Sequence, residues 1–356
     1  MKAHKRIAAY VAAILMLFSL LQVCAGESAP IDIATAGDTV LTFTSDVHHT
    51  SANTTDSSAK RLGNWLDGVK KELGEIGAVC ICGDLGSPYA NSSSYWRYAS
   101  AVFDVIDERE IPLVCTTGNH EYQNGSFTPT KNATTQRYIR LGEGKAADNY
   151  AVFCLGAASK GEEFPQSDVD ALKNYLKSVG TEKPVFILSH YPLHTFSNST
   201  LTREFKNADQ IIALLNHYPN AFFVWGHNHS QGDLHYDKVI RDEIQIKKGQ
   251  EPVAIQFTYL AAGAMTEVAD GNPYAGSVTG KGLVARISPA GRTVSLQYRD
   301  KDGEPLADWV TIKLPPSQEA ISGLLLTARQ VAGIEVSDGE SSAADLVEMA
   351  RALLAA

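Results

Sequence analysis

The chain has 356 residues, of which 44% are hydrophobic and 20% charged, and its formal net charge is −9. This composition is typical of a globular protein with enough apolar residues for a substantial core. The acidic balance argues against nucleic acid or an anionic membrane as a general partner. It leaves phosphate chemistry open, because a bound metal cluster supplies its own positive charge.

The first 25 residues form a segment of their own. Basic residues precede an apolar run from Ile7 to Leu21, and Val23-Cys24-Ala25 fits a small-residue cleavage pattern. This order predicts a signal peptide at 1–25 and a secreted or cell-envelope protein. An uncleaved N-terminal anchor is the alternative, but the run is short for a membrane span of about 20 residues, so no stable span is expected.

Downstream, short apolar runs alternate with segments of helical spacing. Strands are predicted at 40–45, 78–82, 112–116, 150–155, 185–188 and 221–225, and helices at 59–73, 95–106, from 167 onward and at 209–215. After about residue 250 only strands are predicted, at 253–262, 282–287, 293–298 and 309–314. The alternation indicates an α/β fold built on βαβ units, and the later strands are expected to complete a second sheet.

The cysteines after the signal segment lie inside apolar runs, at Cys80, Cys82, Cys115 and Cys154. Export would permit disulfides, but the spacing does not resemble a disulfide framework. Free cysteine behaves as a small hydrophobic residue. We therefore expect buried free thiols.

The strand-rich part ends at Pro315-Pro316, which predicts a main domain at 38–315 and a short helical appendage at 316–356. The appendage faintly resembles the second calcium-loop repeat of a dockerin module. Ile334 and Val336 stand where that loop requires oxygen ligands. We expect a degenerate appendage, with weak docking to a partner as its potential function.

Polar, metal-capable residues follow five of the early apolar runs. The strongest candidates are Asp46, His48, Asp84, Asn119, His190, His227 and His229. Ligands of open α/β sheets gather beyond the carboxyl ends of the strands, so these side chains should converge. Carboxylates and imidazoles together suit zinc, iron or manganese. One tetrahedral ion takes three or four protein ligands, so seven candidates fit two ions that share a carboxylate.

Two ions about 3.5–4 Å apart suit in-line displacement at phosphorus. His120 is left over from the ligand set and stands beside Asn119. This position places it next to a substrate, as a general acid must be.

Five ordered motifs resemble those of the calcineurin-like metallophosphoesterase superfamily: Asp46-x-His48, Gly83-Asp84, Gly118-Asn119-His120-Glu121, His190 and Gly226-His227-x-His229. The resemblance covers roughly residues 38–265. It implies a four-layer α/β domain, in which helices flank two packed mixed sheets and a dimetal site lies at the carboxyl ends of the strands. It also implies a hydrolase that acts on phosphoric esters.

The family pattern implies a role for each position. The first ion would be held by Asp46, His48 and His229. The second ion would be held by Asn119, His190 and His227. Asp84 would bridge two divalent or trivalent ions of manganese, iron or zinc. A hydroxide between the ions would attack phosphorus, His120 would protonate the leaving oxygen, and Glu121 would hydrogen-bond behind the ligands.

Departures from the pattern narrow the subgroup. Ser/Thr protein phosphatases extend the second motif to GDxxDRG, where this chain has Ser87 and Pro88. Purple acid phosphatases carry DxG first and a ligating Tyr at the position of Ser87, so His48 and Ser87 argue against a tyrosinate–iron site. The 5′-nucleotidases carry a second substrate domain for which this chain is too short. A phosphodiesterase-like or general phosphohydrolase remains.

The predicted function is a secreted dimetal phosphoesterase that hydrolyses small phosphodiesters or phosphomonoesters. One alternative is a phosphomonoesterase of the acid-phosphatase or nucleotidase kind. The other is a non-catalytic, metal-stabilised binding protein, against which the spare His120 argues, since structural sites are closed. His49 and His194 are left as structural residues or substrate contacts, and His217 and His235 are expected at the surface.

Overall fold

A computed structural model describes residues 37–87, 91–123, 144–155, 163–195, 205–227, 229, 235, 237–247, 249–266 and 280–315. All but residues 313–315 belong to one compact unit, Asp32–Ile312, and the description below concerns that unit. The predicted signal peptide at 1–25 and the appendage at 316–356 lie outside the described residues, so those boundaries stay predictions. Among the described helices, none has the length and apolar character that a membrane crossing requires.

The helices are α1 (Ser57–Leu73), α2 (Ser92–Asp107), α3 (Asn119–Gln123), α4 (Gln166–Val179) and α5 (Ala208–Leu215). The first seven strands are β1 (Thr39–Thr44), β2 (Ile76–Ile81), β3 (Leu113–Cys115), β4 (Gly144–Ala146), β5 (Ala151–Leu155), β6 (Val185–Ser189) and β7 (Ala221–Trp225). The later strands are β8 (Val239–Ile240), β9 (Glu243–Ile244), β10 (Val253–Ala254), β11 (Thr258–Ala261), β12 (Lys281–Ile287), β13 (Thr293–Asp300) and β14 (Val310–Lys313).

Within the described residues these strands form two six-stranded sheets and a small ribbon of β9 and β10. The first sheet has the order β14-β13-β12-β1-β2-β3, and the second has the order β4-β5-β6-β7-β11-β8. Strands β1, β2 and β3 pair in parallel, as do β5, β6, β7 and β11. In the first sheet β12 and β13 run antiparallel to their neighbours, and in the second sheet β4 and β8 do so. Both sheets are therefore mixed, as expected.

The expectation that the strands after residue 250 complete a second sheet is wrong in part. Strand β11 joins the second sheet beside β7, but β12 returns to the first sheet and pairs with β1. The single strand predicted at 253–262 is divided into β10 and β11. The pattern of apolar residues identifies a strand but not its neighbour, because pairing partners are distant in the chain.

The two sheets pack face to face because successive side chains of a strand point to opposite faces. In β1, Phe43 contacts Phe186 of β6 with ring centroids 5.0 Å apart, and Phe186 stacks on Phe222 of β7 at 4.9 Å. Val40 lies on the opposite face of β1 and belongs to the same hydrophobic cluster as Leu62 and Leu66 of α1. On the other sheet, Val185 and Ile187 pack with Leu172 and Leu176 of α4. Helices thus flank two packed sheets, and the predicted fold class is confirmed.

The cysteines are free and buried at Cys80, Cys82, Cys115 and Cys154, as predicted. The Cys154 sulfur lies 3.8 Å from the carbonyl oxygen of Cys115, and the Cys82 sulfur lies 3.5 Å from that of Val224. Both contacts join the two sheets. Burial raises the pKa of the Cys80, Cys82 and Cys115 thiols well above its ordinary value, so these thiols are unreactive core residues.

Candidate metal centre

The segments that follow β1 and β2 run side by side beyond the ends of the strands. The backbone N–H of Asp46 donates to Gly83, that of His48 to Asp84 and that of His49 to Leu85, at 3.0, 3.0 and 2.9 Å. These bonds continue the parallel pairing for several residues. They bring the side chains of Asp46, His48 and Asp84 to one edge of the first sheet.

The backbone is strained at four of the candidate ligands. Positive φ angles occur at Asp46 (49°), His48 (43°), Asp84 (58°) and His227 (69°). Non-glycine residues adopt this left-handed region at a cost of about 1 kcal/mol or more and tend to cluster at functional sites. One hydrogen bond stabilises this strained backbone conformation: Oδ2 of Asp46 accepts the N–H of His227 at 2.8 Å.

Two glycines allow the close approach of neighbouring segments. A Cβ atom on Gly118 would lie 2.2 Å from Oδ1 of Asp84, and one on Gly226 would lie 1.8 Å from Oγ of Ser45. No real side chain tolerates such distances against buried groups. The glycine before Asn119 and the glycine before His227 are therefore required for the ligand-bearing segments to meet.

The first group of candidate ligands consists of Asp46, His48 and His229. The Nε2 atom of His229 lies 2.9 Å from Oδ1 of Asp46 and 3.1 Å from Nε2 of His48. The Nδ1 atom of His48 lies 3.3 Å from the carbonyl oxygen of Gly86, which places a proton on Nδ1 and aims Nε2 at the other two ligands. The His229 side chain is 32% exposed, whereas that of Asp46 is fully buried.

The second group gathers around Nε2 of His190. This atom lies 2.9 Å from Oδ1 of Asn119, 3.0 Å from Nδ1 of His227 and 3.3 Å from Oδ2 of Asp84. The other ring nitrogen, Nδ1, donates to the carbonyl oxygen of Cys82 at 2.7 Å, which fixes the orientation of the ring. The side chain of His190 is fully buried.

Asp84 faces both groups. Its Oδ2 lies 3.3 Å from His190 Nε2 and 3.7 Å from His48 Nε2. His120 approaches the same carboxylate, with its N–H donating to Oδ1 at 3.0 Å and its Nε2 3.7 Å from Oδ2. The His120 side chain is 19% exposed and its ring lies 5.3 Å from that of His48. All seven predicted ligands and the predicted general acid are thus brought together.

The donor chemistry of this cluster fits metal ions. Around His190 Nε2 the atoms contributed by Asn119, His227 and Asp84 present lone pairs that converge on one region. A cation there, either a proton on His190 or a metal ion, satisfies all of them at once. Imidazole and carboxylate ligands at this spacing are the set that zinc, iron and manganese prefer.

The electrostatics differ between the two histidines of the second group. Burial alone would lower the pKa of His190, but the carboxylates of Asp84 and Asp46 outweigh it and raise the pKa to about 9. Burial and the charge of His190 lower the pKa of His227 to about 3. Burial raises the pKa of both carboxyl groups, yet the neighbouring histidines prevail and hold the pKa of Asp46 and Asp84 below the usual range. Both carboxyl groups are therefore ionised ligands at neutral pH.

Glu121 ties the second and third motifs together from behind. Its buried carboxylate accepts the backbone N–H groups of Asp84 at 2.8 Å, Leu85 at 2.8 Å and Gly118 at 2.6 Å. The hydroxyl of Tyr95, on α2, donates to the same carboxylate. A hydrogen-bonding role behind the ligands was expected for Glu121, but the contribution of Tyr95 was not anticipated from the sequence.

The remaining histidines divide differently from the expectation. His49 is buried, with Nε2 donating to the Asn53 carbonyl and Nδ1 accepting the N–H of Ala59 in the first turn of α1, so it is structural. His194 is also buried and lies 2.7 Å from the hydroxyl of Tyr259 through Nδ1. His217 is exposed, as predicted. The prediction that His235 lies at the surface is wrong, because only 6% of it is exposed.

Comparison with protein families gives one match, to the calcineurin-like phosphoesterase model, over residues 39–231. The chain belongs to the calcineurin-like phosphoesterase family. The match spans all five motifs, from Asp46 to His229. The predicted family and the predicted class of enzyme, a hydrolase of phosphoric esters, are thereby confirmed at the level of the family.

Several solved structures match this chain at low sequence identity. A purple acid phosphatase, PPD1, from yellow lupin (Lupinus luteus) seeds superposes with a TM-score of 0.50 at 14% identity, over 88% of this chain and 59% of that chain. GAP50, the anchor in the inner membrane complex of Plasmodium, gives 0.48 at 10% identity, over 86% and 99%. TT1561 of Thermus thermophilus gives 0.40 at 12% identity, over 74% and 99%. A comparison with curated proteins found no match.

The likeness to the lupin enzyme concerns the fold alone at this identity, and this chain spans 59% of that protein's length. Ser87 lies in the described part of the chain, buried beside the second motif, where the purple enzymes are expected to have a ligating Tyr. The shared fold therefore does not carry over the iron chemistry of the purple enzymes.

Proposed function

We propose that this protein is a dimetal phosphoesterase that hydrolyses small phosphate esters. The observation that carries the proposal is the convergence of two ligand groups on the shared carboxylate of Asp84, with acceptor atoms around His190 Nε2 at 2.9, 3.0 and 3.3 Å. One ion would be held by Asp46, His48 and His229. The other would be held by Asn119, His190 and His227. The ions are manganese, iron or zinc, which this ligand set suits.

Bound ions would supply Lewis-acid stabilisation of the phosphoryl oxygens and a nucleophile at neutral pH. The residues of the chain orient that chemistry. Asp84 is fixed by the N–H of His120, and its backbone is fixed by Glu121, so the shared carboxylate cannot rotate away from either group. His120, whose side chain is partly exposed beside the shared carboxylate, would give a proton to the leaving oxygen.

The substrate would be a phosphodiester or a phosphomonoester, and the choice depends on segments next to the site. A phosphomonoesterase of the acid-phosphatase kind is the second candidate, supported by the shared fold of the lupin purple acid phosphatase. We also propose that the protein is exported, on the basis of the pattern in residues 1–25. N-terminal sequencing of the mature protein tests cleavage of this segment, and an intact Met1 would contradict a cleaved signal peptide, whereas recovery of the protein only in the cytoplasmic fraction would contradict export.

The deciding experiment uses the purified chain, stripped of metal with a chelator and reloaded with manganese, zinc or iron(II). We expect hydrolysis of bis-p-nitrophenyl phosphate, p-nitrophenyl phosphate or both, and the ratio of the two rates separates diesterase from monoesterase. A parallel Asp84→Asn preparation controls for contaminating phosphatases. If two ions were bound per chain and neither compound were hydrolysed, the proposed enzymatic function would be refuted. The alternative of a metal-stabilised binding protein would then remain.

A further inference from the structure

Four rings form a buried cluster, and three of them stand within six residues of a candidate histidine ligand in the sequence. This ring cluster consists of His194, Trp225, His235 and Tyr259. The imidazoles of His194 and His235 pack with centroids 4.2 Å apart, and the indole of Trp225 contacts His194 at 5.0 Å and Tyr259 at 5.7 Å. Only 1% of His194 and 6% of His235 are exposed, so neither ring can serve as a substrate contact.

Hydrogen bonds give the members of the cluster defined roles. The Tyr259 hydroxyl oxygen accepts the Leu193 N–H at 2.8 Å, so its own proton is available to Nδ1 of His194 at 2.7 Å. The Nε2 atom of His235 accepts the N–H of Gln245 at 3.1 Å. Nδ1 of His194 and Nε2 of His235 are therefore both engaged in hydrogen bonds inside the cluster.

The same short segment, Gln245–Ile246, binds both histidine-bearing stretches. Gln245 donates to His235, and the next residue, Ile246, accepts from the N–H and the hydroxyl of Thr195 at 2.7 and 3.1 Å. Thr195 follows His194 directly. The segment after β6 and the segment after β7 are thus hydrogen-bonded to two consecutive residues, Ile246 and Gln245.

These stretches carry most of the candidate histidine ligands. His190 lies four residues before His194, and His229 lies six residues before His235, while Trp225 stands two residues before His227. We propose that His194, His235 and Tyr259 are positioning residues, which hold the ends of both stretches so that His190 and His227 meet at Nε2 and Nδ1. The inference rests on the proposed function, because the positioned atoms are the proposed ligands of the second ion.

The test measures binding of manganese to the chelator-stripped protein by calorimetric titration. His235→Phe keeps a packed ring but removes the acceptor of the Gln245 N–H. The affinity for the second ion should fall by roughly 10–100-fold, as it does when a residue that supports a metal ligand is lost. His235→Gln supplies a carbonyl acceptor and should recover most of that affinity. His217→Phe, a change of the same kind at an exposed histidine, should leave both affinities unchanged.

Tyr259→Phe provides a second, milder variant, because it removes a single oxygen and keeps the ring. It should also weaken the second ion, since Leu193 and His194 lose their shared partner. Unchanged affinity for both ions in His235→Phe and Tyr259→Phe, with or without lowered thermal stability, would show a merely structural cluster and overturn the inference. Failure of the unaltered protein to bind manganese, zinc or iron would instead contradict the proposed function.

Discussion

The two candidate metal sites differ in how firmly buried structure holds their ligands. In the second site, His190 is fully buried, its Nδ1 is bound to the Cys82 carbonyl, and Asp84 is fixed by the N–H of His120. In the first site, Asp46 is equally buried, but the side chain of His229 is 32% exposed. His227 of the second site is also only partly buried, so the contrast between the sites rests on two histidines: His190, which is fully buried, and His229, which is partly exposed.

This difference has a consequence for metal binding. Ligands that are held in place before an ion arrives lose little conformational freedom on binding, whereas an exposed side chain must be ordered. We expect the ion at the second site to bind more tightly and to exchange more slowly than the ion at the first. The shared carboxylate of Asp84 makes the two affinities depend on each other.

The largest effect is expected from Asp84→Asn, which removes the one charge that faces both sites. Both ions should bind more weakly, and hydrolysis should fall by roughly 1000-fold, equivalent to about 4 kcal/mol in the barrier. Metal analysis after gel filtration, together with the rate assay, checks this. Asp170→Asn, an exposed carboxylate on α4, is the matched control. Two fully occupied sites in Asp84→Asn would contradict the bridging role.

His120 could be either a proton donor or an additional ligand of the first ion, and one variant separates the two roles. Its ring nitrogen lies close enough to His48 and Asp84 for the three to form a ligand group of their own. If His120 is the proton donor, His120→Asn retains both ions and loses roughly 100- to 10,000-fold in rate, most for esters with poor leaving groups. Loss of one ion from the variant would instead assign His120 to the first site as a ligand, and an equal loss of rate across leaving groups would contradict its role as the general acid.

A paired substitution compares the two sites directly. In the presence of a chelator, His190→Ala removes one of two donors to the buried Cys82 carbonyl, the other being the Ser45 hydroxyl, and opens a cavity, so unfolding should become easier by about 2–3 kcal/mol. His229→Ala should change stability by less than about 0.5 kcal/mol, since that side chain is partly exposed. Urea denaturation measures both values. Equal losses of stability would remove the distinction between the fully buried His190 and the partly exposed His229.

Metal binding at the second site should release a proton from the protein. A pKa of about 9 keeps His190 protonated at pH 7.5, while a pKa of about 3 keeps His227 neutral, and a metal ion needs both neutral. Loading should therefore release about one proton from His190 at pH 7.5, and the release should decline as the pH rises through about 9. The raised pKa of His48 contributes in the same direction. Titration calorimetry in buffers of different ionisation enthalpy measures the release.

In the presence of a chelator, the raised pKa of His190 also makes the stability of the fold depend on pH in a defined direction. The ordinary value for His190 is 6.5 and the folded value is higher, so protonation of His190 stabilises the fold fully below about pH 6.5. That contribution is lost as the pH rises through about 9. A stability that increased across this range would show that the imidazolium of His190 is not the stabilised form.

The convergence of the candidate ligands could be predicted from the sequence because each follows shortly after a predicted strand. His190 comes immediately after β6, and Asp46 comes two residues after β1, so strand prediction and the chemistry of the side chains were sufficient. The carboxyl ends of parallel strands meet at one edge. Convergence of the motifs needed no knowledge of the loops between them.

Other features depend on contacts between distant segments and could not be predicted. The stretch around His235 is locally polar, and its burial comes from Tyr259 and His194, which lie in other parts of the chain. The return of β12 to the side of β1 rests on the free edge of the first sheet, and the apolar pattern of β12 suits either sheet. Tyr95 gave no signal beyond its place on a helix, although its hydroxyl binds Glu121.

The smallest effect concerns this last contact, which supports the second site from behind. Tyr95→Phe removes one of the donors to Glu121 but leaves the N–H groups of Asp84, Leu85 and Gly118 in place. Stability should fall by about 1 kcal/mol, and the affinity for metal should change little, because the backbone donors still hold the carboxylate. Tyr98→Phe on the same helix serves as the control in urea denaturation. A large loss of the second ion in Tyr95→Phe would mean that the hydroxyl, rather than the backbone, orients Glu121 and through it Asp84.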